Sequence, residues 1–332
     1  MILYKNNLLF MHKKKPVKIE IAKIPKAPEI ETIKKPHLPV KCDVYENCSW
    51  PYVMSLPFMW LITIYVMIKK SIYKALGLGT PKTNSFFFDG LGVESRKVKE
   101  YATTWRAMDI VYNHPYPQRW TFRGAIDEFY WFGLNCQGLR NRLKLIKDEL
   151  RKAVIEVNNG GEIKLISLAC GSAESVIEIM AEFKAKGKII NALLIDIDEE
   201  ALKRAQKIAE HYGLEKQIEV RKGSTYDIIE IAKNFKPQIV EMMGFLDYIK
   251  QEDAISLVAK IREALEPNGF LITCNICPNI EQHFLKWVIN WPMVYRTPED
   301  FNDVAHKAGF KDYRLIYEPL KVHGLLVAKK TN

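Results

Sequence analysis

The spacing of apolar residues changes several times along the chain, and each change predicts a different kind of element. Over residues 1–49 no period is sustained. The run HKKKPVKIEIAKIPKAPEIETIKKPHLPVK interleaves lysine with Pro16, Pro25, Pro28, Pro36 and Pro39, which interrupt any helix. An extended basic arm is predicted there, a tail or a strap lying on the protein. It has neither the apolar core nor the small-residue cleavage site of a signal peptide. Residues 50–85 open with WPYVMSLPFMWLITIYVMI, which is uncharged, rich in aromatics and closed by Lys69 and Lys70. The run reaches the lower limit of a membrane span, about 17 to 25 residues, although Pro51 and Pro57 weaken a straight helix. Two readings stand: an anchor at a membrane interface, which tryptophan, tyrosine and flanking lysines suit, or a buried helix packed on the domain that follows.

Across residues 86–158 apolar positions recur every three or four, through VESRKVKEYATTWRAMDIVYNH and DEFYWFGLNCQGLRNRLKLIKDELRKAVIEV, which predicts a helical cap. Asn158, Asn159, Gly160 and Gly161 punctuate the chain, and residues 159–332 then alternate short apolar runs with amphipathic helices. Strands are predicted at 164–169, 189–195, 217–221 and 238–241, and over FLITCNI after LEPNG. The fold class is α/β, a Rossmann-like doubly wound sheet with an N-terminal helical cap and an extended basic arm. Its ligand crevice lies at the carboxyl ends of the strands.

The first strand runs into Ala169, Cys170, Gly171, Ser172 and Ala173 before a helix. Small residues at such a turn let the backbone approach a ligand, and the helix that follows offers free N–H groups. The second strand ends at Asp196, Ile197 and Asp198. An acid there, about 20 to 25 residues past the turn, is placed to accept hydrogen bonds from ribose hydroxyls. Asp196 is the first choice for that role, and whichever carboxylate misses the ribose is a helix N-cap. Ser224, Thr225 and Asp227 follow the third strand and offer polar groups to an adenine, while Glu241 and Met242 lead out of the fourth. A dinucleotide site would need G-x-G-x-x-G for its pyrophosphate, and that pattern is absent.

In order, LACGSAES, LLIDIDEEAL, KGSTYDI, VEMMGFLDYI and ALEPNGFLITCN resemble the successive motifs of class I S-adenosylmethionine-dependent methyltransferases. The resemblance covers roughly residues 162–278. It implies a seven-stranded sheet and S-adenosylmethionine as cofactor, with Gly171 near the methionine moiety, Asp196 on the ribose and Ser224 or Thr225 near the adenine. The chain departs from the family in two respects: Ser172 and Ala173 stand where more glycines are usual, and Ser224 stands where an acid commonly meets the adenine, which Asp227 would compensate.

Past the fifth strand, W-x-x-x-W-P-x-x-Y-R-T-x-x-D, from Trp287 to Asp300, resembles together with NCQGLRNR a subgroup that includes methyl ester synthases of 3-hydroxy fatty acids. Such an acceptor is already nucleophilic as a carboxylate and needs positioning more than a base. Arg296 is expected to orient it through a bidentate pair, or else to pair structurally with Asp300. Tyr248, Tyr295 and His283 are the other candidates for the catalytic pocket, with a helix-face role the plainer reading for His283. Cys274 and Cys277 form C-x-x-C without a second pair at zinc spacing, so no metal is expected.

Composition changes the picture little. A net charge of +10 points to an anionic partner, but part of the excess sits in the N-terminal arm, which weakens the case for nucleic acid. Six scattered cysteines suit reduced thiols in the cytoplasm, with attachment to the inner face of a membrane left open by the apolar run. The expected activity is methyl transfer to a small or lipid-like acceptor, with O-methylation of a fatty acid carboxylate as its sharpest form. The alternatives are an RNA methyltransferase and a membrane-tethered protein that keeps the fold without catalysis.

Overall fold

A 26-residue helix, α1 (Trp50–Ala75), runs through the apolar stretch and past the lysines expected to end it. In this computed structural model residues 46, 50–81, 93–113, 131, 133–158 and 160–331 are described, so the predicted basic arm lies outside them apart from Glu46. One stripe of α1, Tyr52, Met59, Thr63 and Val66, is buried. The other faces carry exposed Met54, Leu61, Ile64, Tyr65 and Ile68. Next come α2 (Val93–Glu100) and α3 (Trp105–Asn113). The helical pattern read over this stretch is interrupted between them, where Thr103 has a φ of +70°.

The long helix α4 (Leu134–Val157) buries Leu139, Ile146, Leu150 and Ala153, the stripe its periodicity predicts. Its first-turn amides would be orphaned without a partner. Glu281 supplies one, accepting from the amides of Leu134 and Asn135 at 2.8 and 2.9 Å and from the hydroxyl of Tyr52 on α1. A single buried carboxylate thus joins α1 and α4 to the segment that follows the fifth strand.

Strands and helices then alternate: β1 (Ile163–Leu168), α5 (Glu174–Ala185), β2 (Ile190–Asp196), α6 (Glu199–His211), β3 (Ile218–Lys222), α7 (Ile228–Phe235), β4 (Ile239–Met242), α8 (Gln251–Ala264) and β5 (Phe270–Ile276). After a short helical stretch at 282–289, α9 (Pro298–Lys307) leads to β6 (Asp312–Tyr317) and β7 (His323–Lys329). The sheet has seven strands in the order β3-β2-β1-β4-β5-β7-β6, as the resemblance implied. The first five run parallel, and β7 inserts antiparallel beside β5.

The sheet is covered on both sides, so its central strands are apolar at nearly every position. Side chains alternate between two cores. Ile163 and Leu165 of β1 join α4, α5 and α6 on one face, while Ile166 and Leu168 join α7, α8 and α9 on the other. A third cluster brings Met59 and Val66 of α1, Val98 of α2 and Val111 of α3 onto Leu139, Leu285, Val288 and Trp291. The cap therefore packs on the segment that follows β5, above the carboxyl ends of the parallel strands.

Candidate cofactor and acceptor site

The turn after β1 takes an unusual path. Ala169, Gly171 and Ala173 all have left-handed φ, at +48°, +54° and +51°. Glycine adopts this region freely, whereas a Cβ there costs about 1 to 2 kcal/mol. The two alanines hold the tight turn at that cost. Gly171 alone is free of it, and a Cβ at its position would come within 3.1 Å of the Cβ of Trp105 on α3.

Asp196, at the tip of β2, faces this turn. Its Oδ2 accepts from the Gly171 amide at 2.8 Å and its Oδ1 from the Asp198 amide at 2.9 Å. Burial raises its pKa above the ordinary value, against the pull of these amides. Asp198 is the N-cap of α6, accepting from the Glu200 amide at 2.8 Å. Both aspartates line a cavity of about 520 Å³, within the size of small-molecule sites. Ala169, Gly171, Ser172, Ala173, Ile197, Ser224 and Thr225 also line it. Ile197 is 75% exposed, an apolar side chain standing at the crevice rather than in the core.

Three expected cofactor residues lie elsewhere. Asp227 is exposed at the start of α7 and is absent from the cavity wall. Met242 points into the core beneath the sheet, because alternation along β4 gives the cavity to Met243 instead. Glu241 is buried beside its register partner Ser167 on β1, whose hydroxyl donates to it. Removed from water, the Glu241 carboxyl is pushed up to about 7.

The expected acceptor residues divide in the same way. Tyr248 lines the cavity, and its hydroxyl accepts from the indole N–H of Trp291 at 2.8 Å. Burial and the nearby Asp247 raise its pKa, which keeps the phenol protonated. Arg296 does not reach the cavity. Its guanidinium donates to the carbonyls of Leu246 and Ile249 at 2.7 and 2.8 Å, to Gln251 at 2.7 Å and to Asn275, which leaves it no fork to offer a carboxylate. Nor does it pair with Asp300, which closes a capping box with Thr297 at the start of α9. His283 is exposed and lies beside Trp60 of α1, with ring centroids 6.4 Å apart. Tyr295 buries its hydroxyl without a partner, also away from the cavity wall.

The rest of the cavity wall includes Asn135, Leu139 and Arg142 from NCQGLRNR, a stretch matched to the fatty acid subgroup but given no role in the site, and His323, which no motif marked. Arg142 on α4 donates to the Tyr112 hydroxyl at 2.7 Å and stands 3.9 Å from Asp247. Asn135, also on α4, and His323, the first residue of β7, line the same cavity. Leu139, Leu285 and Met293 give it apolar walls. The NCQGLRNR resemblance, and a charge at position 142 inside the apolar stripe of a helix, are the sequence signals that pointed here.

Comparison with known proteins agrees with this architecture. A solved structure from Bordetella parapertussis, described as a possible exported protein, has a TM-score of 0.62 at 14% identity, with 85% of this chain and 97% of that chain covered. That likeness is one of fold. The magnesium protoporphyrin IX methyltransferase of Synechocystis PCC 6803, solved with bound SAH, aligns with a TM-score of 0.48 at 13% identity, over 71% of this chain and 99% of that chain. An uncharacterized protein of Haemophilus influenzae is 26% identical over 164 residues, which take in 47% of this chain and 62% of that protein. The family described as "Putative methyltransferase" matches residues 84–330, from before α2 to the end of β7, and the chain belongs to that methyltransferase family.

Proposed function

We propose that this protein transfers a methyl group from S-adenosylmethionine to a small, largely apolar or lipid-like acceptor. One observation carries the reading. The β1 turn, Asp196 and the Ser224 and Thr225 loop open onto the same cavity as an apolar chamber that ends in Arg142, Tyr248 and His323. A cofactor with a ribose and no pyrophosphate fits the first part: Asp196 would hold the ribose, Ile197 would cover the base, and the left-handed turn would pass the methionine moiety. When bound, that cofactor supplies an electrophilic methyl group for in-line displacement, and the chain's own contribution is to orient the acceptor and exclude water.

The apolar walls favour a small molecule over RNA. O-methylation of a fatty acid carboxylate remains a form of the reading, but with Arg296 committed to the backbone, Arg142 is the guanidinium in the cavity that would meet the acid. Calorimetric titration with S-adenosylmethionine tests the proposal. The wild-type chain should bind, and Asp196→Ala should bind about tenfold or more weakly, the scale of lost hydrogen bonds to a charged group. A wild-type chain that binds no S-adenosylmethionine overturns it.

The exposed faces of α1 support a second element of the reading, attachment to the surface of an anionic membrane. The helix is long and apolar enough to cross a bilayer by length and composition. Its buried stripe, however, runs from Tyr52 to Val66 along most of its length, so it would lie in the interface with Leu61, Ile64 and Ile68 toward the lipid.

A further inference from the structure

We propose that His323, with Arg142 and Asn135, forms the acceptor-binding end of the cavity and receives the proton of a neutral hydroxyl as that hydroxyl is methylated. The proposal rests on the methyl-transfer reading and adds to it the acceptor's chemical class and the residue that handles its proton.

His323 is 1% exposed, lines the cavity, and has no hydrogen-bond partner among the described residues at either ring nitrogen. A buried polar group left unpaired costs about 1 to 3 kcal/mol, so such a group is either a defect or a docking point. Its backbone is held independently of the ring. His323 faces Ile276 in the β5–β7 register, and the adjacent Val322 carbonyl accepts from the Cys277 amide at 2.8 Å. The fold therefore does not require an imidazole here.

Two further polar atoms of the cavity-lining residues also lack partners among the described residues, the Arg142 Nε and the Asn135 Oδ1. The Asn135 amide is oriented by its own nitrogen, which donates to Glu281 at 2.6 Å and Asn279 at 3.1 Å, and this leaves the oxygen free. The unpaired set thus comprises a guanidinium donor, an amide acceptor, and an imidazole that is a donor at one nitrogen and an acceptor at the other. A hydroxyl, which both donates and accepts, can satisfy members of each kind. A carboxylate only accepts, would leave the Asn135 oxygen and the imidazole lone pair unmet, and would sit close to Asp247, itself 3.9 Å from Arg142. Leu139, Leu285 and Met293 ask the rest of the acceptor to be apolar.

Burial and the positive charge of Arg142 hold the His323 pKa well below its usual value, so the ring enters the reaction neutral. The step then balances. The acceptor oxygen forms its bond to the methyl carbon, and the carbon–sulfur bond breaks with its electron pair staying on sulfur, which neutralises the sulfonium. The O–H proton, made strongly acidic by the new bond, passes to the free ring nitrogen and leaves an imidazolium.

The test uses 2-naphthol and 2-naphthoate, which share one ring system and differ in the polar group. Both are titrated into the full chain saturated with S-adenosylhomocysteine. We expect naphthol to bind more tightly than naphthoate and to shift the His323 ring signals in histidine-labelled protein. His323→Leu should weaken naphthol about tenfold, the loss of one well-made hydrogen bond, while His323→Gln keeps binding within a few fold. Methyl transfer to naphthol should fall in both variants, because glutamine cannot take a proton. Tighter naphthoate binding, unmoved His323 signals, or equal naphthol affinity in His323→Leu overturns the proposal. If His323→Leu loses S-adenosylhomocysteine binding, the ring signals of the wild type decide. Failure of the wild type to bind S-adenosylhomocysteine is a separate result and overturns the methyltransferase reading itself.

Discussion

The indole N–H of Trp105 donates to Oδ2 of Asp198 at 2.9 Å, so a tryptophan of the cap is tied to the carboxylate that starts α6. The same tryptophan covers the Gly171 turn and lines the cavity. It therefore acts as a wall of the cofactor crevice supplied by the N-terminal helices. Trp105→Phe, which keeps a ring and loses the bond, should weaken S-adenosylmethionine severalfold by calorimetry, and Trp105→Ala by more than tenfold. Asp198→Ala loses the same bond together with the N-cap, so it should weaken S-adenosylmethionine at least as Trp105→Phe does and also lower thermal stability by about 1 kcal/mol. Unchanged affinity in Trp105→Ala would show that the cap takes no part in the site.

The left-handed alanines make a prediction opposite to the usual cost of glycine. An alanine-to-glycine change in an ordered segment normally destabilises, by about 0.5 to 1 kcal/mol. At Ala169 and Ala173 the same change removes a Cβ from a conformation that disfavours it. Each single glycine variant should be as stable as the wild type or more so in urea unfolding, with S-adenosylmethionine affinity preserved. A loss of 1 kcal/mol or more in both would mean that the methyl groups contribute packing that outweighs their strain.

Arg296 is 2% exposed and satisfies two backbone carbonyls and two side chains around the β4 and β5 ends. Arg296→Ala should lower stability by about 3 to 5 kcal/mol, as expected when one member of a buried polar network is removed. The measurement is thermal unfolding followed by circular dichroism. A variant that melts like the wild type yet loses methyl transfer would return Arg296 to the catalytic set.

The strand, turn and acid that frame the cavity were legible because their determinants are local. Strand, turn and acid recur within short windows, and β5 spans the very residues FLITCNI that were read as a strand. Asp196 and Asp198 lie two residues apart and both line the cavity, and that Asp198 caps α6 follows from helix-start geometry. The acceptor half was not legible in this way. Arg142, Asn135 and His323 lie on α4 and β7, far apart in sequence, and meet only because β7 inserts beside β5. Arg296 misled because a motif gives a residue's identity without its direction, and this side chain turns back onto the Leu246 and Ile249 carbonyls. Met242 and Met243 were separable in principle by the two-residue period of a strand, but the four-residue β4 is too short to fix which parity faces the ligand.

Lys69, Lys70 and Lys74 close α1, next to its exposed apolar faces. If this helix rests on lipid, the full chain should co-sediment with vesicles containing a quarter of phosphatidylglycerol and less with pure phosphatidylcholine. Leu61→Glu combined with Ile68→Glu should reduce that binding at least tenfold without lowering the melting temperature, since both side chains are exposed. Protein that stays in the supernatant with both vesicle types would remove the membrane from the proposed function.

The Ser167 and Glu241 pair predicts how stability varies with pH. Burial pushes the Glu241 carboxyl up from its ordinary 4.5 to about 7, with the Ser167 hydroxyl and the Arg142 charge only partly opposing the shift. Between those two values the folded state binds a proton that the unfolded state releases, so the contribution to stability is fully present below pH 4.5 and is lost as pH rises through 7. Glu174, at the start of α5, is also raised to about 7, chiefly by burial and then by Glu178 and Asp109, and acts in the same direction. Glu241→Gln keeps the shape and a hydrogen bond to Ser167 while removing the titration. Urea unfolding should find the variant close to the wild type at pH 5 and more stable at pH 8, by up to about 3 kcal/mol. The remaining slope should flatten further on adding Glu174→Gln. Parallel curves for wild type and Glu241→Gln across this range would mean that Glu241 stays ionised in the fold, with water or Arg142 compensating its charge.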